Sequence, residues 1–161
     1  VSGDAVRWSF EAPLAVVGTA TRDGKVLLPP MPGERRQWLA WLPVPVFGFT
    51  RVSRRPDRRE PDEWEAPLPV AVIERVELRG AELMATGHFG DTERGRHYAG
   101  ALAVEAVWLG LGADRSEMEP MYRATAFRGW RIREATLVDS PAWDLSLLSC
   151  PRVWQEEIPA G

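Results

Sequence analysis

The sequence predicts a mainly β domain of the α+β class, with one principal helix. Fourteen prolines and fourteen glycines cut the 161 residues into short segments, most of them runs rich in Val, Ile, Leu and Trp. Such runs between turn-forming residues are strand signals. The clearest helical spacing of apolar side chains lies in residues 93–107. A chain of this length fits one domain, residues 1–161, around one core.

The first expected element is a hairpin in "LAVVGTATRDGKVLLPP", residues 14–30: a strand, an Asp23-Gly24 turn and a return strand. "PPMPG" (29–33) breaks the pattern. "RRQWLAWLPVPVFGF" (35–49) then reads as an edge strand or irregular segment, because Pro43 and Pro45 have no N–H for a ladder. Residues 51–65, "RVSRRPDRREPDEWE", hold five arginines and five acidic residues with almost nothing to bury, so a charged surface loop is expected. "PVAVIERVEL" and "ELMATGHF" read as two strands joined at Arg79-Gly80. In the second, Leu83, Ala85, Gly87 and Phe89 share one face and His88 points the other way.

Asp91 or Thr92 can cap a helix from Glu93 to Val107 whose Tyr98, Leu102 and Ala106 form a core stripe, with His97 beside it. "VWLGLGAD" (107–114) follows, then a polar loop ending at Pro120. The last strands are "YRATAF" and "WRIREATLVD", separated by Arg128-Gly129 and closed by a Ser140-Pro141 turn.

A net charge of −3 and a pI near 5.5 give no basic footprint for nucleic acid or an anionic membrane. The arginines of 51–65 are cancelled by Asp57, Glu60, Asp62, Glu63 and Glu65 within the same stretch. No apolar run approaches the ~18 residues of a membrane span; two prolines break the nearest, "LAWLPVPVFGF". Val1 in place of an initiating methionine suggests a processed or trimmed chain. Cys150 is the sole cysteine, so no intramolecular disulfide can form. Beside Pro151 and far in sequence from either histidine, it reads as a small half-buried residue. The eight tryptophans are first of all core candidates.

His88 and His97 with Asp91 and Glu93 offer metal-ligand chemistry, but one histidine is on a strand and the other well into a helix. The helical i, i+4 pair is missing, so neither a metal nor a cofactor is expected. "GLGAD" lacks the Lys-Ser/Thr of a phosphate cradle, and there is no Gly-x-Ser-x-Gly. Read alone, the residues do not assemble a nucleophile, a base and an oxyanion site.

Three stretches nevertheless follow one another in a recognisable order: "VIERVELRGAELMATGHF", "DTERGR" and "WRIREATLVDSPAW". From Val70 to Trp143 the chain resembles the prohead protease (capsid maturation protease) family of tailed bacteriophages, serine proteases with a fold similar to the herpesvirus assembly protease. The first stretch is similar to the family's strand–turn–strand ending in a small residue, Gly, x, Phe, and the second to its helix start. The third, with Val-Asp-x-Pro-Ala after a strand, is the most specific. Residues 1–60 match only through the early Thr-x-Asp-Gly turn. The resemblance implies a partly closed β-barrel.

It also implies a histidine near Trp64, in "DEWEAP", and a nucleophilic serine at Gly112, or at Trp108 in an alternative register. None of these residues carries the required group. Ser116 with His88 could form a replacement dyad only if both partners moved. Glu134 matches an acidic residue of some members' closing strand, on the face of Trp130 and Ile132; a half-buried carboxylate paired with arginine is its plainer reading. If the fold holds, Trp64 and Gly112 are neighbours and the indole fills the cleft.

The implied function is a degenerate prohead-protease-like domain acting in capsid assembly as internal scaffold or assembly factor. The alternative is an active serine endopeptidase that processes capsid or scaffold proteins. Both imply a phage-like major capsid or scaffold protein as partner, a possible homo-oligomer, and a place in the bacterial host cytoplasm inside procapsids.

Overall fold

Strand-forming runs dominate the chain, and the computed structural model arranges them in two sheets. It describes residues 6–30, 42–48, 69–104, 107–114 and 117–158. The strands are β1 (Val6–Val16), β2 (Lys25–Leu27), β3 (Val44–Phe47), β4 (Pro69–Arg79), β5 (Glu82–Phe89), β6 (Trp108–Asp114), β7 (Glu117–Met121), β8 (Ala124–Arg128), β9 (Arg131–Val138) and β10 (Arg152–Glu157). One helix, α1, spans Glu93–Ala103. The large sheet runs β10-β1-β5-β4-β3-β9-β6, and the small sheet β2-β8-β7. The large sheet curls until β1 lies against β6, giving a half-barrel. The described residues are therefore mainly β, with one α-helix among them.

The β4–β5 hairpin follows its sequence signals. Leu83, Ala85, Gly87 and Phe89 are buried on one face while His88 is half-buried on the other. Phe89 meets Phe10 of β1 at 5.2 Å between ring centroids, and with Leu14, Ile73, Leu102, Ile132 and Leu137 they form the core. Gly87 is required by close approach: a Cβ there would overlap the Val72 carbonyl oxygen of β4. Helix α1 starts as expected, its Thr92 Oγ1 accepting from the Gly95 N–H at 2.9 Å. Tyr98, Ala99 and Leu102 are buried. The helix ends at Ala103, short of the expected Val107, and buried Val107 instead leads into β6. Ala106 and the 51–65 loop lie outside the described residues.

Elsewhere tertiary pairing overrode local signals. The Asp23-Gly24 turn does not close a hairpin between β1 and a return strand. β1 stays between β10 and β5, whereas β2 pairs in parallel with β8. The switch occurs just after β1, where Val17 N still donates to Ala81 O at 2.7 Å but Gly18 N already donates to Leu27 O at 2.8 Å. β3 is an interior strand rather than an edge. Its pairing with β9 covers only Val46 and Phe47, so the N–H that Pro45 lacks is not needed there. The expected polar loop before Pro120 contains β7, whose residues are all exposed and so give no alternation. β10, "RVWQEE", was likewise without a clear period.

On the face away from the core, Arg79 of β4 grips Glu11 of β1 across the intervening β5, its Nη1 and Nη2 donating at 3.1 and 2.8 Å. Arg152 of β10 approaches the same carboxylate at 3.6 Å. Glu11 is only 15% exposed, and the Arg79 hydrogen bond holds its carboxyl below the usual carboxylate range. Three strands are thereby tied through one side chain.

Two outcomes follow. Gly87→Ala should lower the urea midpoint by an amount near the upper end of overpacking, about 3 kcal/mol, since backbone rather than a flexible side chain blocks the new methyl. Because the folded state depresses the Glu11 pKa, the ion pair's stabilisation is present above the unfolded value and lost as pH falls through the folded one. Glu11→Gln should therefore be less stable than the parent at pH 7, and the gap in urea midpoint should close on acidification below about pH 4.

Candidate functional site

β6 is the terminal strand of the large sheet and β9 its neighbour. The register runs Trp108↔Val138, Gly110↔Thr136, Gly112↔Glu134 and then Ala113↔Ile132, skipping Arg133. This β-bulge reverses the side-chain phase of β9. Ile132, Ala135 and Leu137 are fully buried toward the core, whereas Glu134 joins Thr136 and Val138 on the opposite face. Glu134 and Ile132 thus do not share a face, contrary to simple alternation.

The bulge sets Glu134 over Gly112. A Cβ on Gly112 would lie 2.6 Å from Glu134 Cγ and 3.2 Å from Oε1. The Glu134 side chain is 33% exposed, with Oε1 3.4 Å from Arg133 Nη2, a half-buried carboxylate beside an arginine. Trp108, the alternative serine position, is buried.

Beside the outer edge of β6 is a cavity of about 290 Å³. Gly110, Leu111 and Ala113 form one wall; Leu27 and Phe127 of the small sheet, with Trp130, Val138, Ala142 and Trp143, line the remainder. Trp130 Nε1 donates to Leu28 O and Trp143 Nε1 to Thr19 O, each at 2.8 Å. Both indole N–H groups are thus used in holding the 19–28 segment, and the rings offer the cavity carbon surface. Thr21, Asp23, Lys25 and Ser140 supply the polar rim. The Thr21 hydroxyl donates to Asp23, and Lys25 Nζ is 3.3 Å from the same carboxylate; together they hold the Asp23 carboxyl below its usual range.

No imidazole lines this cavity. His88 is on β5, four positions from β6 in the sheet order, on the face away from the core with Nδ1 against Glu74. Directly across from it on β1, Ser9 is 2% exposed, but its hydroxyl donates to Glu156. His97 is exposed on α1, edge-on to Tyr98. The structure therefore brings Gly112 together with Glu134 and does not bring His88 to either. Trp64 and Ser116 lie outside the described residues. Cys150 is exposed rather than half-buried, in the irregular segment after the 3-10 turn Leu145–Leu147.

Comparison with protein-family models, curated proteins and solved structures finds no match. The site's chemistry is read from its own residues. Among the described residues, no three His, Cys, Asp or Glu side chains gather to hold a metal, and no helix is long and apolar enough to cross a membrane. What the cleft offers is aromatic and aliphatic surface with a small charged rim. Trp130 and Trp143 are buried in the core, as the sequence leads one to expect, and also wall the cleft, which no local signal marks.

Gly112→Ala should cost about 1–3 kcal/mol through contact with Glu134. In a Glu134→Ala background the same change should cost less, so a double-mutant cycle in urea should yield a coupling energy of about 1 kcal/mol or more. Additive effects would show that the two positions do not touch.

Proposed function

We propose that this chain is a catalytically degenerate relative of the prohead protease, serving in phage-like procapsid assembly as an internal scaffold or assembly factor. One observation carries the loss of catalysis. The resemblance puts the nucleophilic serine at Gly112, where even a Cβ would lie 2.6 Å from Glu134 Cγ. A serine hydrolase needs an oxygen nucleophile within hydrogen-bond reach of a base. Among the described residues no imidazole lies beside Gly112, and the cleft hydroxyls of Thr21 and Ser140 have none with them.

The motifs behind the resemblance have structural work of their own in this chain. Gly87 lets β4 and β5 approach, Thr92 caps α1, and the Pro141–Trp143 end of the closing motif is pinned where Trp143 bonds the Thr19 carbonyl. A chain that kept its framework while losing the reactive groups would retain just these. The half-barrel is compatible with the partly closed barrel of the herpesvirus-protease-like fold, and the expected partner is a phage-like major capsid or scaffold protein within procapsids of a bacterial host.

The purified chain, incubated with the major capsid protein encoded beside it, should leave that protein intact on denaturing gels and co-sediment with its assembling shells. Cleavage that disappears in Ser116→Ala would instead establish an active endopeptidase.

A further inference from the structure

The β7–β8 hairpin ends in an apolar tip that stands in solvent. β7 is exposed throughout; Met118 is 66% exposed, Met121 47% and Tyr122 85%. Of the seven large hydrophobic residues that are exposed among the described residues, three fall within these five positions. Such clustering, unlike scattered single residues, marks a contact surface. The tip is also shaped. Met121 pairs with Ala124, which leaves Tyr122 and Arg123 as a two-residue loop with Arg123 at φ 59. Loops of that length favour Asn-Gly because a Cβ disfavours the left-handed region. Here an arginine is held there, and its guanidinium sits 5.1 Å over the Tyr122 ring.

The complement to this knob is the cavity beside β6. Its walls are aromatic and aliphatic, both indole N–H groups are already bonded, and its volume of about 290 Å³ exceeds the roughly 150 Å³ that accommodates benzene. A phenol ring with a neighbouring thioether suits such walls, since methionine sulfur packs favourably on aromatic rings. The rim is complementary as well: Asp23, 63% exposed, can meet Arg123, and Lys25 can meet Glu117 on the acidic β7.

Knob and rim are neighbours in each molecule. Thr125 N donates to Gly24 O at 2.8 Å and Lys25 pairs with Thr125, so the tip is only a few residues from the cavity mouth. A knob next to its own socket cannot fill it, but a two-fold axis between two copies lets each fill the other, and the contact closes at two.

We propose that this chain forms a two-fold dimer in which Tyr122 and Met121 of each copy occupy the Trp130–Trp143 cavity of the other. The dimer does not depend on the capsid reading of function. Sedimentation velocity of the full chain over about 1–200 µM should show a concentration-dependent monomer–dimer equilibrium. Tyr122→Asp with Met121→Asp should remain monomeric over that range with an unchanged far-ultraviolet spectrum and melting temperature, both side chains being outside the core. In a Cys150→Ser background, an equal mixture of Tyr122→Cys and Ala142→Cys chains should form intermolecular disulfides on mild oxidation, because Ala142 lines the cavity and is exposed. A parent chain monomeric at the highest concentration overturns the proposal. So does a dimer that survives the double substitution, or one lost by it whose tip fails to cross-link to the cavity.

Discussion

Two indole hydrogen bonds decide where the chain goes after its first strand. Between Val16 and Lys25 the backbone leaves the large sheet and enters the small one, a path with few ladder bonds of its own. Trp143 takes the Thr19 carbonyl within the crossing and Trp130 the Leu28 carbonyl just past β2. Both residues are half-buried, and a carbonyl shut off from water without a partner would cost about 1–3 kcal/mol, so the tryptophans satisfy this segment as well as pack it. Everything distinctive about the cleft follows from that placement. β2 is held parallel to β8, the small sheet stands off from β6, and the gap between them has aromatic walls.

The other determining feature is a single skipped residue. Had β9 alternated without a bulge, Glu134 would have faced the core beside Ile132, where an unpaired carboxylate is expensive. The bulge at Arg133 turns it outward, and its aliphatic stem then covers Gly112. The glycine and the glutamate are one feature, since neither a side chain at 112 nor a serine hydroxyl fits while Glu134 keeps its position. A β-bulge commonly re-aims a side chain; here it lays the stem of Glu134 over Gly112.

Legibility in the sequence followed contact distance along the chain. The β4–β5 hairpin and the start of α1 were readable because their determinants are local: alternation on Leu83, Ala85, Gly87 and Phe89, and a capping threonine three residues before Gly95. The parallel pairing of β2, the interior position of β3 and the existence of β10 were not, because each depends on a partner far away in sequence, and β7 was not because its residues are all exposed and show no alternation. Val46 reads as an interior strand residue only once Ala135 is known to lie beside it. At the site, the neighbour of Gly112 was not legible, since the bulge that brings Glu134 there leaves no mark in residue type. The expected meeting of Trp64 and Gly112, and the rescue through Ser116, involve residues outside the described part of the chain.

The surface left over from these constraints is uneven in a way that bears on assembly. The face of β1, β5 and β4 away from the core carries the Glu11–Arg79–Arg152 cluster and the contacts of Ser9 and His88 with Glu156 and Glu74. The small sheet has a different character: β7 and the turn after it present two exposed methionines and an exposed tyrosine, with the Arg128–Glu119 pair crossing to β8. A three-stranded sheet whose outer strand buries nothing gains little from being folded alone. Its stability must come from the β2 side, where Val26, Ala126 and Phe127 are buried and the tryptophan tethers hold the crossing segment. The chain thus presents the exposed β7 edge next to an apolar recess, and both features trace back to the placement of β2 beside Trp130 and Trp143.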